Sequence, residues 1–83
     1  MKFTDEQLAA AGFTATGHGH ALTLANGNRL LIPSAHSSRR SHFATEYYRD
    51  NLRQMVAVYY LENAEDLAAV AVGACIKTLC RAQ

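Results

Sequence analysis

Tryptophan is absent from the chain, proline occurs once and cysteine only twice among 83 residues. No long hydrophobic run is present either. The longest, Leu67 to Ile76, has ten residues, about half of the ~20 that a membrane-spanning helix needs. The first residues, MKFTDEQLAAAG, lack the basic segment followed by an apolar run that marks a secretory signal, and a cytoplasmic location is expected. Cys75 and Cys80 form no C-x-x-C pair. On one helix, five positions apart, they would point roughly 140° away from each other, so they read as separate, reduced thiols. Neither sign of charge is in large excess: eight Lys and Arg face seven Asp and Glu, a net charge of +1. A dedicated nucleic-acid binder is usually far more basic. An apolar content of 49% with 18% charged residues describes a folded chain rather than a disordered one, and 83 residues make one small domain, 1–83, with a modest core.

Several kinds of chemistry lack their parts. His18 and His20 flank a glycine and would point the same way from an extended segment, with His36 or His42 as a third imidazole. No cysteine or acid stands at ligand spacing beside them, so no metal is expected. Serines 34, 37, 38 and 41 lie near histidines 36 and 42, but nothing marks a strained nucleophile turn or a carboxylate orienting a base. Gly17 and Gly19 are not followed by a lysine-bearing helix, so no phosphate loop is read. An enzyme and a cofactor are not expected.

What is present is periodicity. Thr4 reads as the N-cap of a short helix within 1–12, with Asp5 and Glu6 in its first turn and Gly12 as its stop. HALTLANGNRLLIP alternates on both sides of Ala-Asn-Gly, a hairpin signal covering 13–33. A three-residue loop with Gly27 in the left-handed conformation puts Leu22, Leu24, Leu30 and Ile32 on one face and turns Thr23 and Arg29 to water. FTAT, 13–16, adds a short third strand. Residues 34–40 form a polar linker, after which Ser38 or Ser41 caps a long helix, 41–62. Its buried side is Ala44, Tyr48, Leu52, Met55, Val56 and Tyr59 at 3–4 spacing. Asn63 caps a final helix, 63–82, apolar nearly all round. The expected fold is therefore α+β: a short helix, a two- or three-stranded hairpin or meander, and an antiparallel αα-hairpin.

The segment HSSRRSHFATEYYRDNLRQ, 36–54, interleaves bases with aromatics. From Asn28 to Gln54 five arginines face two acids, an excess of three. Glu46, Arg49, Arg53 and Tyr60 would share a stripe of alternating charge on the long helix, with Glu46–Arg49 and Asp50–Arg53 as surface ion pairs. Arg39 and Arg40, free of nearby acids, suit a bidentate anion contact. The candidate contact residues are Arg39, Arg40, Arg49, Arg53 and His42 for charge, and Phe43, Tyr47, Tyr60 and Leu61 for apolar and aromatic contact. Surplus apolar helix surface points to a homodimer or to another protein as partner. A helix-turn-helix is excluded because its second helix would offer a DNA groove only alanines, valines and cysteines. The expected function is a non-enzymatic interaction protein. By analogy of size, it would be a bacterial or phage regulator or inhibitor of a larger assembly, such as a CRISPR-like defence complex. The competing expectation is direct nucleic-acid binding through Arg39, Arg40, Arg49 and Arg53.

Overall fold

A computed structural model describes residues 3–17, 19–33, 43–75 and 77–81, with the backbone alone at 80 and 81. The chain runs α1 (Asp5–Ala10), β1 (Thr14–Thr16), β2 (Gly19–Thr23), β3 (Arg29–Pro33), β4 (Phe43–Tyr48), β5 (Asn51–Tyr60), α2 (Ala64–Ala71) and β6 (Thr78–Arg81). The strands form one six-stranded sheet in chain order, every neighbour antiparallel. The expected αα-hairpin is thus overturned. Residues 43–60 are two strands of a hairpin, and the apolar segment after Asn63 is a two-turn helix followed by a strand.

The physical reasons are local. FATEYY and the VAVYY end of β5 are rich in aromatic and β-branched residues, which suit a pleated surface better than a helix. Arg49-Asp50 turns the chain between the paired residues Tyr48 and Asn51. Two register shifts, on either side of Tyr47, absorb the unequal strand lengths. α2 stops because Gly73 adopts φ +76°. The amide of Ala74 bonds the Ala69 carbonyl at 2.8 Å and that of Gly73 the Val70 carbonyl at 3.1 Å, the paired bonds of a Schellman motif. α1 ends in the same way, with Gly12 at φ +102° and Phe13 N donating to Leu8 O at 2.9 Å. At its start Thr4 and Gln7 form a reciprocal capping box.

The β2–β3 hairpin has the register its alternation implies. Leu22 opposes Leu30, Thr23 opposes Arg29 and Leu24 N bonds Asn28 O at 2.7 Å. That leaves a loop of Ala25-Asn26-Gly27 with Gly27 at φ +92°. FTAT contributes β1, which pairs with β2.

Both helices lie on one face of the sheet. Leu8, Phe13, Leu67 and Val70 pack there with Leu24, Leu30, Ile32, Ala44, Ala57, Tyr59 and Leu61 into a single core. Cys75 precedes β6 and Cys80 lies within it, so the two cysteines do not share a helix. Among the described residues no helix is long and apolar enough to cross a membrane.

Candidate functional site

Side chains alternate across a sheet, so placing Leu30, Ala44 and Ala57 in the core turns their strand neighbours to the other side. That second face carries Arg29, Leu31 and Pro33 from β3, Phe43, Thr45 and Tyr47 from β4, and Met55, Val58 and Tyr60 from β5. No described helix covers it. Leu31 is 38% exposed, Met55 37% and Leu52 51%, high values for large apolar side chains on one continuous surface. Arg29, Leu31, Tyr47 and Leu52 surround a depression of about 50 Å³. A broader trough of about 200 Å³ adjoins it, sharing Leu31 and Tyr47 and extending to Thr16, Gly19, Pro33 and Thr45. At the far end Phe43 and Tyr60 oppose each other with ring centroids 5.9 Å apart, within the range of favourable aromatic pairs.

Behind this face a polar network fixes the strands that present it. Glu46 points into the core at 6% exposure. Its two carboxylate oxygens accept from the Tyr59 hydroxyl and from the Asn28 amide, each at 2.6 Å. Asn28 in turn accepts from Arg49 N at 3.1 Å, and the Arg49 guanidinium reaches Asn26 O at 3.5 Å. The β2–β3 loop is thereby tied to the β4–β5 turn, which holds Arg29 and Tyr47, paired across the two strands, in fixed relation.

Arg29 itself differs from the other arginines described in detail. Its Nε is buried and has no hydrogen-bond partner among the described residues. Arg49 pairs with Asp50 at 3.8 Å, and Arg53 is exposed near the start of β5.

The sequence-derived candidates are distributed unevenly over this geometry. Phe43, Tyr47 and Tyr60 share the uncovered face. Leu61 does not: it is fully buried and unavailable to a partner. Arg49 is occupied in the turn network. The stripe of Glu46, Arg49, Arg53 and Tyr60 dissolves, because Glu46 faces the core and Tyr60 the opposite side. The Glu46–Arg49 and Asp50–Arg53 ion pairs are absent among the described contacts. Arg39, Arg40 and His42 lie outside the described residues, as do the linker 34–40, the caps Ser38 and Ser41, and His18 and His36. His20 stands 3.5 Å from Asp5. Among the described residues no group of three or more His, Cys, Asp or Glu is placed to hold a metal ion.

Sequence reasoning passed over Arg29, Leu31, Leu52 and Met55 as contact residues. The signal was present at Leu31, an apolar residue between the inward Leu30 and Ile32, hence outward in any strand register. No family model matches the chain, and no curated protein and no solved structure matches it.

Proposed function

We propose that the chain is a non-enzymatic interaction protein that binds a partner protein on the uncovered face of its sheet. One observation carries this reading: Leu31, Leu52 and Met55 stand exposed on a face whose strands are locked from behind, so the surface is both apolar and rigid. Apolar area that is already ordered binds with little further loss of side-chain freedom. A role as regulator or inhibitor of a larger complex belongs to the same proposal, since a small rigid body acts by occupying a surface.

The test is a comparison of two surface variants. Leu31→Asp with Leu52→Asp loses the proteins captured by the wild-type chain, whereas Ala68→Asp on the helical side keeps them. Equal capture by both variants removes the proposal. Sedimentation of the purified chain shows whether the partner is a second copy.

A second reading rests on Arg29, Tyr47 and the Phe43–Tyr60 pair sharing one face, since aromatics with cations are what single-stranded nucleic acids stack upon. Anisotropy of labelled DNA and RNA separates the two. Phosphate binding collapses as salt rises, and an apolar contact hardly changes.

A further inference from the structure

Resting on the reading of the uncovered sheet face as a protein-docking surface, we propose that the Arg29 depression receives a carboxylate of the partner, an Asp or Glu side chain flanked by apolar residues that seat on Leu31 and Leu52.

Arg29 sits on β3, opposite Thr23 on one side and Tyr47 on the other, and lines a depression together with Leu31, Tyr47 and Leu52. Its Nε is removed from solvent and has no acceptor among the described residues. A buried donor on a cation is costly to leave unmade, more so than a neutral one. Among the described residues no carboxylate satisfies it. Five of the seven acids, Asp5, Glu6, Glu62, Glu65 and Asp66, belong to α1, to α2 or to the residue before the α2 cap, on the opposite side of the sheet. Glu46 is turned into the core and engaged by Tyr59 and Asn28. Asp50 is at the β4–β5 turn beside Arg49. Among the described residues the uncovered face thus presents a cation without a counter-charge, beside the apolar side chains of Leu31 and Leu52, where a carboxylate would make a charge-assisted pair.

The arrangement favours a single carboxylate over a nucleic-acid backbone. A phosphate track needs several free cations in a row. Here Arg49 is committed to Asp50 and to the Asn26 carbonyl, and the neighbours of Arg29 across the strands are Thr23 and Tyr47.

The experiment is an NMR titration of the full chain that follows the Arg29 Nε–Hε resonance and the methyl resonances of Leu31 and Leu52. The probes are acetyl-Leu-Glu-Leu-amide, the same peptide with Gln for Glu, and an oligothymidylate. The expected result is joint movement of the Nε–Hε and methyl signals with the Glu peptide, and binding about tenfold weaker with the Gln peptide, the loss of one charge-assisted bond. Arg29→Gln, checked for an unchanged fold, removes the discrimination between the two peptides. Methyl shifts of equal size with both peptides overturn the carboxylate inference and leave the docking face standing. Movement with neither peptide overturns both. Movement of Nε–Hε with the oligothymidylate alone identifies the acceptor as phosphate and overturns the protein-partner reading.

Discussion

Glu46 shows how much one inward carboxylate organises. Its two oxygens accept from Tyr59 and Asn28 at 2.6 Å each, and truncation removes both of these charge-assisted hydrogen bonds. Glu46→Ala is therefore expected to lower unfolding free energy by roughly 3–5 kcal/mol, from two lost hydrogen bonds to a carboxylate and a small cavity. Tyr59→Phe removes one hydrogen bond to a buried carboxylate and costs about 1.5–3 kcal/mol. Urea unfolding of both variants checks the ratio. Gly27 is a second such position. At φ +92°, a Cβ would meet Arg49 Cδ at 2.7 Å. Gly27→Ala costs about 1–2 kcal/mol from the left-handed backbone, and the Arg49 side chain must shift as well. Adding Arg49→Ala recovers only the steric part, which a double-mutant cycle measures.

At the level of elements, what could be read from sequence depended on whether local signals stood alone. Thr4 with Gln7, Gly12, Asn63 and the Ala-Asn-Gly loop each specify a cap or turn by their own chemistry, and each sits where its chemistry implies. Residues 41–62 misled because Ala44, Tyr48, Leu52, Met55, Val56 and Tyr59 match a helical spacing, while Glu46 at an inward strand position breaks the alternation that would have revealed β4. A charged residue is ordinarily read as wet. Only the Tyr59 hydroxyl and Asn28 amide, distant in sequence, make it a core residue. Gly73 carried the stop signal of α2 but falls inside the final helix expected over 63–82, so the apolar run Leu67 to Ile76 merged into one element. The uncovered face was legible only through Leu31, because the facing of β4 and β5 follows from a pairing that sequence periodicity did not show.

The junction of α2 with β6 gives the element-scale pH prediction. Asp66 accepts from Glu62 N at 2.8 Å and from Lys77 Nζ at 2.9 Å. The Glu62 amide first, then the Lys77 ammonium, hold its carboxyl below the usual carboxylate range. The Asp66 hydrogen bond raises Lys77 above its ordinary value. A carboxyl depressed in the folded state contributes stability above its unfolded value and loses it as pH falls through the folded one. A raised lysine contributes below its unfolded value and loses it as pH rises through the folded one. The latch is thus intact at neutral pH and opens at both extremes. The difference in melting temperature between wild type and Asp66→Asn is expected to be largest near neutrality and to vanish in strong acid. Gly73→Ala, at φ +76° with nothing close to its Cβ position, costs about 1 kcal/mol from backbone strain alone.

For the whole molecule, the two sides of the sheet have different characters. Acids gather with the helices; the opposite face is apolar around Arg29, whose Nε has no partner among the described residues. Leu31→Asp with Leu52→Asp is expected to leave the unfolding free energy within about 1 kcal/mol of wild type, since both side chains are already substantially exposed. The same pair of changes should reduce self-association at high concentration, which light scattering reads directly.

The meander also has a consequence for synthesis. Each strand pairs with the strand made just before it, so a growing chain on the ribosome completes hairpins in the order it is delivered. The cover for the core face arrives late, however, because Leu67 and Val70 follow all of β5. Until α2 emerges, the nascent sheet shows both an uncovered apolar face and an unfinished core, and the interval between Tyr60 and Val70 is when the chain most needs protection from its neighbours.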